Sequence, residues 1–151
     1  MRQNNSSIQS LIFLLLMAIF ILFSCKKEEK WVWCSDCTLE KITGTYEGTA
    51  NHLRFVDSVN FIETKAKESY ATLTEENGQL KAQIGIVNLF ALSVTGDYTN
   101  EYYIEIPGNK SQLSAKIWKL GEQIKLIGTA KKYTNDGDIY ELIDFELFKT
   151  P

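Results

Sequence analysis

The sequence predicts an all-β domain built as an eight-stranded antiparallel meander barrel, and three observations predict it. Past residue 25, β-branched and aromatic residues recur in short runs, with only two prolines in the whole chain. Turn signals punctuate those runs at short spacing: Asn77-Gly78, Asn88, Gly96-Asp97, Pro107-Gly108-Asn109, Gly121-Glu122 and Asp136-Gly137. No stretch beyond the amino-terminal apolar run keeps a helical period long enough for a helix of convincing length. Strands are expected at residues 42–52, 67–76, 79–87, 89–96, 101–107, 112–120, 122–134 and 138–149. Eight strands suit a small closed barrel, and a two-sheet β-sandwich is the alternative.

Residues 11–23 are an uninterrupted apolar run, followed by Ser24 and Cys25 and preceded by Arg2 as the sole charged side chain. A membrane-spanning helix needs about 20 apolar residues, so the run reads as a secretory signal peptide over residues 1–24. Leu22-Phe23-Ser24-Cys25 resembles the lipobox of bacterial lipoproteins. That resemblance implies cleavage before Cys25, acylation of Cys25 with palmitate-type chains, and an outer-membrane address.

Residues 25–40 then read as a lipidated tether. Lys26-Lys27-Glu28-Glu29-Lys30 cannot bury itself and is expected to stay solvated. It resembles the export signal that follows the acylated cysteine in surface-exposed lipoproteins of the Bacteroidota, so both the cell surface and the periplasmic face are open. At about 3.5 Å per extended residue, residues 25–41 could hold the domain up to about 55 Å from the membrane. Cys34 and Cys37 form a C-x-x-C pair in a compartment where disulfides persist. A local disulfide is the expectation, with half of a zinc site or a thiol redox couple as alternatives. Trp31 and Trp33 are expected to cap the bottom of the domain.

Residues 41–151 form the barrel domain, and its hairpins set register. With Asp136-Gly137 as the centre of a two-residue turn, Ala130 faces Ile143, Gly128 faces Phe145 and Leu126 faces Leu147, all on one side. Asn77-Gly78 likewise sets Leu73 opposite Ala82 and Ala71 opposite Ile84. Further inward candidates are Leu80, Ile86, Phe90, Leu92, Val94, Tyr102, Ile104, Ile106, Leu113, Ala115, Ile117 and Ile124. Gly44-Thr45-Tyr46 resembles the G-x-W that opens the first lipocalin strand, and residues 53–66 then read as a long lid-like loop. The resemblance is to calycin architecture; ligand carriage does not follow from it.

Net charge is −3, and no basic stripe invites nucleic acid. No P-loop, G-x-S-x-G, H-E-x-x-H or G-x-G-x-x-G occurs, and neither a catalytic residue, a metal nor a cofactor is assigned. His52, the one histidine, reads as an exposed residue at a strand end. Thr134-Asn135-Asp136-Gly137-Asp138 reads as turn chemistry, because a calcium loop's glutamate is missing. Lys132 opposite Glu141 is a barrel-mouth pair, fit to orient a polar ligand or simply a cross-strand ion pair. Outside, Tyr103, Trp118, Lys125, Ile127 and Phe148 form a candidate partner patch or a cation-π surface.

The expected function is that of a lipid-anchored envelope binding protein without catalytic activity, acting through protein contact. Two alternatives stand beside it: a carrier or sensor of a small apolar ligand in the barrel, and a thiol redox protein using Cys34 and Cys37. The expected partners are the membrane, through the lipid, and an unidentified envelope protein or small ligand.

Overall fold

A computed structural model describes residues 29–57, 59–98 and 103–151. The expected signal peptide, the expected acylation site Cys25 and the inward candidate Tyr102 lie outside the described residues. One compact unit runs from Trp31 to Pro151. It holds β1 (Val32–Trp33), α1 (Leu39–Ile42), β2 (Gly44–Phe55), β3 (Phe61–Glu76), β4 (Gln79–Ile86), β5 (Phe90–Gly96), β6 (Tyr103–Gly108), β7 (Ser111–Leu120), β8 (Gln123–Tyr133) and β9 (Ile139–Lys149). From β2 to β9 every consecutive pair is antiparallel and laddered except β5 and β6, and β9 returns to pair with β2. The sheet therefore curls into an eight-stranded half-barrel whose seam lies between β5 and β6 rather than closing fully. Small residues let the seam strands approach: a Cβ on Gly96 would stand 2.8 Å from Ile106 Cγ2.

Strand alternation produces the core. Inward residues from β2 through β9 form one buried cluster, including Tyr46, Leu73, Leu80, Ile104, Ile117, Ile143 and Leu147 at 1% exposure or less. Every expected inward residue that the structure describes is buried, apart from half-buried Gly128, which has no side chain to hide.

The hairpins show how register is held. Asn77 and Gly78 both have positive φ, 55° and 80°, as a two-residue type I′ turn requires. The last hairpin reaches its expected pairing by another route. Gly137, at φ 91°, donates its N–H to the Thr134 carbonyl, Thr134 N–H bonds the Asp138 carbonyl, and Tyr133 faces Ile139. A register shift between Lys132 and Tyr133 then absorbs one residue, so Lys132 faces Glu141 and Gly128 faces Phe145. A three-residue loop plus one bulge is equivalent to a two-residue loop further down the ladder.

Residues 53–66 are not a lid loop. β2 continues to Phe55 and β3 begins at Phe61, leaving only a short turn between them. The apolar pair Phe55 and Phe61 closes the ladder, and the Asp57 carboxylate accepts from Val59 N–H at 2.9 Å and Asn60 N–H at 2.8 Å. A bulge interrupts the pair opposite Asn51, where Ala66 takes φ 49° and its N–H donates to Asn51 Oδ1 at 2.9 Å. Turn signals counted without this bulge make the segment look unstructured, whereas the N–H groups of Val59, Asn60 and Ala66 each find a side-chain acceptor.

The cap at the β7–β8 turn end also differs from expectation. Trp31 and Trp33 lie on the outer sheet face, with Trp33 opposite Trp118, and the disulfide segment fills the end instead. Cys34 and Cys37 are joined, with Cα atoms 5.4 Å apart and each residue 1% exposed. Tyr46 Oη donates to the Ile42 carbonyl at 2.6 Å and Tyr98 Oη to the Cys37 carbonyl at 3.0 Å. Asp36 takes bonds from Lys119 and Lys41, the first of which does most to hold its carboxyl below the usual range. Replacing both cysteines with serine is expected to cost about 2 kcal/mol, the small value that suits so short a loop. An unchanged urea midpoint would show that α1 and Asp36 hold the segment without the sulfurs.

Candidate functional site

Three places on the barrel bring chemistry-bearing residues together. At the mouth, Lys132 Nζ donates to Glu141 Oε2 at 2.8 Å, as the cross-strand register implies. Glu141 Oε1 also lies 2.9 Å from Nε2 of His52, which is buried at 5% exposure rather than exposed. The bulge on β3 lets β2 continue, so His52 stays on the inner face instead of ending a strand. Phe90 completes the cluster, its ring centroid 6.2 Å from His52 and 4.4 Å from Lys132 Nζ. Burial alone would raise the Glu141 pKa, but hydrogen bonds from Lys132 and then His52 outweigh it and hold the carboxyl below its ordinary value. Lys132 and His52 share one carboxylate, and each carboxylate oxygen is taken.

The outer row assembles as the register requires, and the chain then covers part of it. Trp118 faces Lys125, Lys125 faces Phe148, and Tyr103 faces Lys116 beside Ile127. Trp31 packs on Phe148 with ring centroids 5.9 Å apart, and Trp33 packs edge-on to Trp118 at 5.7 Å. Lys125 Nζ sits 4.5 Å from the Trp31 ring centroid and 2.8 Å from Glu146 Oε1. What reads as a partner patch is thus largely the seat of residues 31–33. The apolar, cation-bearing face and the two tryptophans complement each other, which short-range turn geometry could not reveal.

The third place is the β2–β3 tip. Val56, Val59, Phe61 and Ile62 are 68%, 79%, 52% and 59% exposed, apolar side chains gathered at one hairpin end. Phe55 and Phe61 stack tilted at 5.9 Å, and the Asp57 turn holds the tip in shape. Beside it, an open cleft of about 560 Å³ runs between the tip and the β8–β9 turn, lined by Phe55, Tyr133 and Tyr140. The signal for this site was the run Phe55-Val56 and Phe61-Ile62 flanking Asp57, which a loop reading absorbs without comment.

Among the described residues, no group of three or more histidine, cysteine, aspartate or glutamate side chains could hold a metal. Among them too, no helix is long and apolar enough to cross a membrane. No protein-family model matches the sequence, and a search of curated proteins returns no match.

Proposed function

We propose that the chain is a lipid-anchored binding protein of the bacterial cell envelope, held through Cys25 at the outer membrane, which grips a protein partner with its β2–β3 tip and catalyses nothing. The observation that carries this reading is the apolar tip, because large apolar side chains gathered in the open on a well-held hairpin mark a protein-contact surface. Polarity supports it. The chain joins the barrel at Trp31, beside Phe148 near the β7–β8 turn, whereas the tip lies at the far end of β2. At about 3.3 Å per residue, the 12 residues of β2 span roughly 40 Å, so an anchor on one end leaves the other free for a partner.

The competing readings find less support. Core side chains from β2 through β9 occupy the inner face, which favours contact on the outside over carriage of an apolar ligand. Cys34 and Cys37 at 1% exposure offer little surface for thiol exchange with a substrate.

A photo-crosslinker at Val59 of the full-length chain in intact cells is expected to trap a discrete protein partner. The double substitution Phe61→Ser, Ile62→Ser should lower that yield at least tenfold. Equal yield from both proteins would dismiss the tip. Palmitate labelling that persists in Cys25→Ser would dismiss the anchor.

A further inference from the structure

The outer face carries a second, chemically different feature. The ladders align Ser114, Thr129, Asp144 and Asn51 in one row across β7, β8, β9 and β2. Three strand spacings of about 4.8 Å make this row about 14 Å long. On one side stands a row of longer side chains, Gln112, Lys131, Leu142 and Leu53. On the other stand Lys116, Ile127 and Glu146, with Tyr103 beyond. Ser114, Thr129, Asp144 and Asn51, shorter than the Lys116, Ile127 and Glu146 row beside them, line an open trough of about 560 Å³, within the range of small-ligand sites. Gly128 deepens it by offering only backbone.

The polar groups in this trough are uncommitted. Among the described residues, the Ser114 and Thr129 hydroxyls and the Asp144 carboxylate make no side-chain hydrogen bond or ion pair. Asn51 uses its Oδ1 on Ala66 N–H and keeps its amide N–H groups for another acceptor. Partial desolvation on the sheet face raises the Asp144 pKa, with Lys131 opposing it.

We propose that this trough binds a short, uncharged saccharide. Apolar ligands fit poorly, because hydroxyl, amide and carboxylate groups line the row and would lose water without replacement. Anions fit poorly as well, since the Asp144 carboxylate lies in the row and draws the charge of Lys131, while Lys116 sits against the Trp33 ring and Lys125 is held by Glu146. A hydroxyl-rich chain satisfies what remains. Its hydroxyls donate to Asp144, accept from Asn51 and exchange roles with Ser114 and Thr129, whose protons rotate freely. Tyr103, half-buried at the end of the neighbouring row, offers an aromatic face to one ring.

The test uses the full-length chain in a sugar-free detergent, titrated calorimetrically with maltotriose, cellotriose, tri-N-acetylchitotriose and, as a competing class, trialanine. Saturable binding of at least one saccharide is expected. Thr129→Lys, which fills the trough, and Asp144→Ala, which removes its acceptor at an exposed position, should each weaken that binding at least tenfold. Phe61→Ser, Ile62→Ser should leave it unchanged, so loss of the protein partner and loss of saccharide separate cleanly. The proposal is overturned if none of the three saccharides binds, if binding survives both trough substitutions, or if only the peptide binds.

Discussion

Glu141→Ala is expected to destabilise the protein by about 3 kcal/mol, because it removes the one carboxylate that Lys132 and His52 both bond at the barrel mouth. The side chains of His52, Glu141 and Lys132 are 7%, 12% and 22% exposed, so water cannot readily replace the lost carboxylate. For a chain of this size the loss corresponds to roughly 10 °C in melting temperature. The same network predicts an acid limb. Glu141 has a folded pKa below its ordinary value, so its contribution is complete above the unfolded value of about 4.3 and disappears as pH falls towards the folded one. Urea midpoints of the wild type should therefore drop in that window, and Glu141→Gln, already weaker at pH 7, should show a shallower drop. A variant within 1 kcal/mol of the wild type, with the same acid slope, would mean the three side chains are solvated after all.

Gly128→Ala is expected to cost about 3 kcal/mol or more, from a single added methyl group. A Cβ there would stand 2.1 Å from the Ser114 carbonyl oxygen and 2.6 Å from Ala115 Cα. Both are backbone atoms of β7, the strand laddered to Gly128, and neither can swing aside as a side-chain end would. The ladder must part to admit the methyl, exposing Phe145 from the opposite position. Gly137→Ala is the informative comparison. Its φ of 91° penalises any side chain, yet nothing lies within 4 Å, so a loss of only about 1 kcal/mol is expected. Equal losses at the two positions, read from urea unfolding, would show that backbone conformation rather than close strand approach decides both.

The contrast between these two positions marks where the sequence is legible. Hairpins are local, so Asn77-Gly78 and Asp136-Gly137 announce themselves, and strand alternation then assigns Leu73, Ala82, Gly128 and Phe145 to one face. Even the bulge after Lys132 leaves that assignment intact, because it cancels the extra loop residue. The mouth pair of Lys132 and Glu141 was legible for the same reason. His52 was not, since its place depends on β2 meeting β9, strands from opposite ends of the domain.

Composition, turn chemistry and alternation thus determined an antiparallel meander, its inward residues, its local registers and the C-x-x-C staple. Tertiary structure decided the rest: the return of β9 to β2, the seam at β5 and β6, the tryptophans on the outer face and the trough across β7, β8, β9 and β2. The physical reason is range. A turn's dihedral angles bind neighbours in the chain, whereas closure, and every site that spans several strands, follows from how the whole sheet twists and where its buried side chains allow it to meet.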